Sequence, residues 1–240
     1  MSLLEKNAIV REIFATKTMR TPEGETVPLD SFIDARTAEA LYRHVRRQKP
    51  RLAVEIGMAN GISTLAILTA LEEEGGDGCL ISIDPNQFTQ WRDCGRAAVK
   101  RAGLGARHRV IEKSDALALP ELLAGGTRVD FGYIDGWHTF DYALMDFWFL
   151  DKMTSQDGVI AFNDCGWPAV EKTIGFVLTH RRYREIDVGL PRTYDRPLSL
   201  GILLRKIKHR RLADYFRRHE DRYFVKAEAW EPRWDFFAEF

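Results

Sequence analysis

Five short apolar runs, each followed by a segment with helical spacing, fill the middle of this 240-residue chain. The runs are LAVEIG (52–57), CLISID (79–84), HRVIEK (108–113), VDFGYID (129–135) and GVIAFND (158–164). The helical segments predicted after them cover residues 62–73, 88–102, 117–123, 140–152 and 168–181. Because these units recur every 20 to 30 residues, they predict an α/β fold, a Rossmann-like and mostly parallel sheet with helices on both faces.

The N-terminal residues 1–50 form a helical lead-in rather than another unit of this alternation. A short helix and an irregular stretch precede a longer helix over 31–47, whose apolar positions recur at helical spacing. Asp30 or Ser31 is expected to cap that helix, and Pro50 stops it.

The alternation ends after Arg182. Two strand-like runs, 183–190 and 198–205, follow without a helix between them, and we expect them to pair antiparallel at the edge of the sheet. Residues 51–205 are therefore predicted to form the main, ligand-binding domain, and residues 206–240 an aromatic and charged helical tail.

The charge and cysteine content exclude several classes of function. The chain has 35 basic and 35 acidic residues, and this balance does not favour binding to nucleic acid. Acidic residues are also interspersed among the basic ones of the tail, so we expect it to pack on the body or on a second copy in a homo-oligomer. Three cysteines without a CxxC pair, a charged N-terminus and no long apolar run predict a cytoplasmic protein that is not membrane-bound.

The loop after the first of the five runs is rich in small residues. Gly57, Ala59 and Gly61 alternate, which lets the backbone approach a ligand closely. A dinucleotide-binding loop would have glycine where Ile62 stands, and Glu55 would repel a pyrophosphate. A carboxylate instead favours a cationic cofactor, such as S-adenosylmethionine (SAM) with its sulfonium and ammonium groups.

Acidic residues also follow the next two strands. Asp84 stands where a carboxylate can bind both hydroxyls of a ribose, and Asp115 where one can accept from an adenine amino group. Each residue alone could be an ordinary turn or helix-cap residue. Their occurrence at successive strand ends favours a nucleoside-containing cofactor.

Taken together, EIGMANGIS (55–63), ISIDP (81–85), KSDA (113–116) and the stretch 131–164 resemble class I SAM-dependent methyltransferases. The similarity is to the O-methyltransferase branch that includes catechol O-methyltransferase and the antibiotic-sugar and cephalosporin-type enzymes, and it covers about residues 30–205. It implies a seven-stranded sheet with an antiparallel final hairpin.

The resemblance also implies roles for individual residues. Cofactor contacts are expected from Glu55, Gly57, Ala59, Gly61, Ser63, Asp84, Asp115 and Trp137. His138 falls where these enzymes have a catalytic lysine or histidine, and Asp135 where metal-dependent members have a metal ligand. Asn163 and Asp164 would complete a site for Mg²⁺ or Ca²⁺.

Transfer of a methyl group to a hydroxyl needs a base, a metal ion or both, because a hydroxyl is a weak nucleophile at neutral pH. We expect His138 to act as the base beside Asp135, and the soft Cys165 after Asp164 makes metal dependence the weaker prediction. The acceptor would be a small hydroxylated metabolite, namely a sugar, a phenol or a natural-product scaffold. The alternative is a non-catalytic SAM- or nucleotide-binding sensor or partner protein.

Overall fold

The computed structural model describes residues 1–190 and 221–240. Its N-terminal part contains two helices, a β-hairpin and a third helix: α1 (Leu3–Lys6), α2 (Ala8–Thr16), β1 (Thr18–Arg20), β2 (Thr26–Pro28) and α3 (Ala35–Gln48). The cap of α3 differs from the prediction. Asp34, rather than Asp30 or Ser31, accepts a hydrogen bond from the Thr37 amide over 2.8 Å, because α3 begins later than the apolar pattern suggested.

The main sheet has seven strands in the described residues, and this confirms the predicted fold class. They are β3 (Leu52–Ile56), β4 (Cys79–Ile83), β5 (His108–Ile111), β6 (Val129–Ile134), β7 (Thr154–Phe162), β8 (Tyr183–Ile186) and β9 (Arg222–Lys226). Their spatial order is β5-β4-β3-β6-β7-β9-β8. The pairs among β3 to β7 are parallel, whereas β9 is antiparallel to both β7 and β8.

Helices on both faces bury this sheet in two separate cores. The connecting helices are α4 (Ile62–Glu74), α5 (Cys94–Arg101), α6 (Asp115–Ala124), α7 (Phe140–Met153) and α8 (Pro168–His180). Alternation along β3 divides its side chains between the cores: Ala53 packs with α3 and α4, and Val54 packs with α6 and α7. None of the helices in the described ranges is both long and apolar enough to cross a membrane.

The last strand pair differs from the sequence prediction. The run 198–205 lies outside the described residues, and β8 pairs instead with β9, in the stretch predicted to be a helical tail. Tyr223 and Phe224 are both fully buried, one in each core, so alternation across the sheet determines their conformation. The helical prediction is therefore wrong for these two residues, and the seventh strand lies beyond the predicted domain boundary at residue 205.

Buried ion pairs fix β9, the strand between β7 and β8, at the end of the sheet opposite to the loop after β3. Asp151 on α7 accepts from Lys226 over 2.9 Å, from Arg181 over 3.0 Å and from the Tyr183 hydroxyl over 2.9 Å. Each of these side chains is less than a tenth exposed. The carboxylate thus joins α7, β8 and β9 through partners that satisfy its charge.

Residues after β9 return along α8. The rings of Phe236, Phe237 and Phe240 surround His180 with centroids 5.1 to 5.8 Å away, and Phe240 also stacks on Phe140 at the start of α7. This part of the tail packs on the body of the same chain, as one of the predicted alternatives stated.

Candidate active site

Four parallel strands end side by side at one edge of the sheet. The last paired residues are Ile56 with Ile83, Ile56 with Ile134, and Ile134 with Phe162. The polar residues that follow these strands therefore meet at this edge, as expected for the ligand-binding side of an open parallel sheet. They include Asp84, Asp135 and Asn163.

The small-residue loop after β3 packs tightly against its neighbours. Gly57 has φ +86°, and a Cβ added there would lie 2.1 Å from the carbonyl oxygen of Asp135. Gly61 has φ +80°, and its added Cβ would lie 3.0 Å from the Gly95 Cα. Glycine is therefore required at Gly57, where a side chain would displace the strand end that carries Asp135.

Glu55 is a fully buried acid beneath this loop. Its Oε2 accepts from the Thr64 and Ser82 hydroxyls, each over 2.7 Å, while Oε1 has no hydrogen-bond donor in the described residues. Burial raises the pKa of Glu55 to about 7. Such an acid, with one unused oxygen, suits a site that receives a cationic group. Ser63, the second residue of α4, is also buried.

Asp84 braces the same loop from the end of β4. Its Oδ2 accepts from the backbone amides of Met58 and Ala59 over 3.1 and 2.8 Å and from the Gln87 side chain over 3.0 Å. Its Oδ1 accepts from the Asn86 amide over 2.7 Å. The structure thus shows Asp84 as a loop brace, and the ribose contact stays a prediction.

Asp115 was predicted to contact the adenine, and Trp137 was predicted to lie beside the cofactor. Asp115 begins α6, and its Oδ1 accepts from the Ser114 hydroxyl over 2.9 Å and the Ala116 amide over 2.8 Å. Trp137 has two thirds of its surface exposed, leaving its ring free to cover a ligand.

Asp135, His138 and Asp164 form a cluster at the end of the sheet. The His138 Nε2 lies 3.6 Å from an Asp135 oxygen and 3.5 Å from an Asp164 oxygen, and it is buried without a hydrogen-bond partner in the described residues. Burial alone would lower the pKa of His138, but the two carboxylates outweigh it and raise the pKa above its ordinary value. Burial raises the pKa of Asp135 to about 6.

This cluster can hold a cation. One possible ligand atom from each of the three residues lies within 4.8 Å of the others. Two carboxylates suit Mg²⁺ or Ca²⁺, whereas an imidazole ligand suits a transition metal better. Ligation by Asn163 stays a prediction, and Cys165 is buried, with its thiol donating to the Phe162 carbonyl over 3.1 Å.

Two further residues at the site were missed by the sequence reasoning. The Asn163 amide donates to Asp221 over 2.7 Å, and this buried carboxylate also accepts from the Tyr133 hydroxyl over 2.9 Å. Nothing in the sequence of the tail marked Asp221 as part of the site. Trp167 lies with its ring centroid 5.3 Å from that of His138 and is half exposed. Its position three residues after Asp164, in a strand-end loop, was the signal that could have found it.

Comparisons with known proteins agree with this arrangement. Residues 54–165 match a family model described as a methyltransferase domain. A search of curated protein sequences found no significant match.

Three solved structures illustrate the similarity of fold. The O-methyltransferase from Bacillus cereus in complex with SAH shares 16% identity and a TM-score of 0.61, over 75% of this chain and 83% of that one. Cofactor-bound Rv0187 from MTB shares 16% identity and a TM-score of 0.63, over 92% and 88% of the two chains. The O-methyltransferase TomG from Streptomyces achromogenes, in complex with SAM, shares 18% identity and a TM-score of 0.56, over 77% and 80%. At these identities the likeness is one of fold.

The family match runs from within β3 to just past β7 and includes Asp135, His138 and Asp164. Residues 54–165 are thus similar to a methyltransferase domain, and the chain has the Rossmann-like fold of these solved methyltransferase structures.

Proposed function

We propose that the protein is a SAM-dependent O-methyltransferase that transfers a methyl group to a hydroxyl of a small metabolite. The proposal rests on one observation above the others. The unpartnered Nε2 of His138 lies between two carboxylates, at the edge of the sheet where the Gly57 loop packs against Asp135. A protein that only binds the cofactor has no need of such a base.

The cofactor would lie over the loop from Gly57 to Ser63. The unused oxygen of Glu55 supports binding of the methionine ammonium, directly or through a bridging group. The close packing of Gly57 on the Asp135 carbonyl holds this loop at the strand ends, where the methionine portion would lie. Asp115 and Trp137 would contact the adenine, and Asp84 would hold the loop that receives the ribose.

His138 would remove the proton of the acceptor hydroxyl. In-line displacement at the sulfonium requires the oxygen and the methyl carbon to be held about 3 Å apart while this proton leaves. Asp135 and Asp164 would stabilise the imidazolium that forms, because both carboxylates lie within 4 Å of Nε2. The exposed ring of Trp167 beside His138 would form one wall of the acceptor site.

Asp135 and Asp164 are also the residues that would hold a divalent cation, with His138 or Asn163 as a third ligand. Such an ion would lower the pKa of the acceptor hydroxyl. His138 cannot ligate the ion through Nε2 and accept a proton there at the same time. A chelator such as EDTA should therefore abolish a metal-dependent reaction and leave a reaction that depends on the His138 base unchanged.

Binding and turnover together test the proposal. Calorimetry should show that SAM and S-adenosylhomocysteine (SAH) bind, and that NAD does not. Methyl-labelled SAM should then transfer label to at least one member of a panel of phenols, sugars and hydroxylated natural products. Absence of SAM and SAH binding would overturn the proposal. Binding without transfer to any hydroxyl in a broad panel would favour the sensor or partner protein instead.

A further inference from the structure

Asp146 on α7 is a buried acid that the proposed chemistry does not use. Its side chain is fully buried, and neither of its oxygens has a hydrogen-bond donor among the described residues. An ionised carboxylate without a donor is very costly in such a position, so the group is neutral and carries a proton. Burial, together with the charge of Asp115, accordingly raises the pKa of Asp146 well above its ordinary value.

The position of Asp146 connects it to the cofactor edge of the sheet. A Cβ added at Gly136 would lie 3.7 Å from an Asp146 oxygen and 2.9 Å from a methyl carbon of Ile56. Ile56 ends β3, and Gly136 follows β6 by two residues. Asp146 therefore lies directly beneath the loops that border the cofactor site.

The polar group that faces Asp146 is another carboxylate. Asp115 lies within hydrogen-bonding reach of it, across the packed interface of α6 and α7. Two ionised carboxylates would repel each other, whereas one shared proton converts the contact into a charge-assisted hydrogen bond. Oδ1 of Asp115 already accepts from Ser114 and from the Ala116 amide, so a proton from Asp146 completes the set of groups that fix this side chain.

We infer that Asp146 is a positioning residue whose carboxyl group donates to Asp115 and orients that carboxylate as the acceptor for the 6-amino group of the cofactor. The pair thereby distinguishes a 6-amino purine, which donates at this position, from a 6-oxo purine, which presents a second acceptor to the carboxylate. This inference rests on the proposed function, since it places the adenine of SAM at Asp115.

The experiment compares SAH with S-inosylhomocysteine, its 6-oxo analogue, by calorimetry. The wild-type protein should prefer SAH by about tenfold or more, the range for a charged hydrogen bond gained against a repulsive contact. Asp146→Asn keeps a donor to Asp115 and should keep this preference. Asp146→Leu removes the donor and should reduce the preference to less than about threefold.

A purely structural role for Asp146 would not change the ratio of the two affinities. Phe147→Leu provides the matched control, because this neighbouring residue is fully buried on the same helix and contacts rings instead of Asp115. It should lower stability and leave the preference unchanged. Asp146→Ala replaces Asp146→Leu if the latter does not fold, since it removes the same donor and adds no bulk.

Three outcomes would overturn the inference: an unchanged preference in Asp146→Leu or Asp146→Ala, loss of the preference in Asp146→Asn, or equal wild-type affinities for the two ligands. In each of these outcomes the wild-type protein still binds SAH, so the proposed function stands. If the wild-type protein does not bind SAH at all, the proposed function fails and the inference fails with it.

Discussion

The side-chain amide of Asn163 donates to the Asp221 carboxylate over 2.7 Å, joining the residue after β7 to the residue before β9. The same carboxylate accepts from the hydroxyls of Tyr133 and Tyr223 over 2.9 and 3.4 Å. The inserted strand therefore does more than complete the sheet. It supplies the acceptor that orients a residue of the candidate active site.

Replacing Asp221 should destabilise the fold. Asp221→Ala leaves the buried donors of Asn163, Tyr133 and Tyr223 without their acceptor, and each such group costs about 1–3 kcal/mol. We expect the free energy of unfolding, measured with urea, to fall by about 3 kcal/mol or more. Asp221→Asn keeps one acceptor oxygen and should lose less. Equal stability of Asp221→Ala and the wild type would show that these contacts contribute nothing.

Gly57→Ala should abolish SAH binding and lower stability by about 3 kcal/mol or more, because left-handed strain adds to overpacking against Asp135. Gly75→Ala is the matched control. Gly75 also has positive φ (+65°), but an added Cβ meets no atom within 4 Å. Gly75→Ala should lower the free energy of unfolding by about 1–2 kcal/mol, from the backbone strain alone, and leave SAH binding intact. Thermal unfolding and calorimetry measure both effects, and similar behaviour of the two variants would contradict the packing argument.

Glu55 should make stability depend on pH. Its pKa is about 7 in the folded protein against an ordinary value of 4.5, so the folded state keeps a proton that the unfolded chain loses. Stability should therefore fall as pH rises from about 4.5 to about 7, by about 3 kcal/mol from this group, and then level off. Glu55→Gln should remove that component. The free energy of unfolding of the wild type and of Glu55→Gln is measured with urea at pH 5 and pH 7.5. If it changes equally with pH in both proteins, Glu55 does not cause the pH dependence.

His138→Ala should lower kcat about 10²–10⁴-fold, for an acceptor found in the labelled-methyl screen, and leave SAH affinity nearly unchanged. Because only the neutral imidazole accepts a proton, wild-type activity should also fall as pH drops below the raised pKa of His138.

A metal-dependent reaction would behave differently. EDTA would abolish it, Mg²⁺ would restore it, and Asp135→Asn and Asp164→Asn would each be severely impaired. Full activity in EDTA with an inactive His138→Ala protein assigns the activation to the base.

Asp84→Ala should weaken SAH binding by about 1.5–3 kcal/mol, since the loop amides of Met58 and Ala59 lose their acceptor together with the predicted ribose contact. Asp84→Asn separates the two roles. It keeps an acceptor oxygen for the amides but replaces the charge that a ribose diol would meet. Unchanged affinity in Asp84→Ala, measured by calorimetry, would exclude Asp84 from the cofactor site.

The parallel part of the sheet could be predicted because its signals are local. Each buried strand is a continuous apolar run, and each helix that follows has its own spacing, so β3 to β6 were found close to their observed bounds, whereas β7 begins at Thr154, earlier than the predicted run 158–164. Strand β9 could not be found in this way. The run RYFVK contains two adjacent aromatics whose burial on opposite faces depends on β7 and β8, and in isolation it continues a pattern of helical spacing.

In the candidate site, too, some features follow from local sequence patterns and others depend on packing between distant elements. Asp135, His138 and Asp164 each follow a recognisable strand, and parallel strands bring their ends together, so their proximity could be expected. The contacts of Asp221 and Asp146 depend on packing between distant elements, which no local pattern encodes. Asp84 was assigned to a ligand, and that contact stays a prediction, whereas its hydrogen bonds to the loop amides appear only in the structure.

The position of β9 between β7 and β8 has a consequence for synthesis on the ribosome. Both neighbours are translated before residues 222–226, and in the finished sheet neither neighbour pairs directly with the other. Until β9 is made, one edge of β7 is unpaired and β8 has no partner strand in the sheet. Such unpaired edges can pair with other chains and cause aggregation. Chain termination between β8 and residue 222 would make that transient exposure permanent, so truncated products should aggregate or bind chaperones instead of persisting as shorter folded proteins.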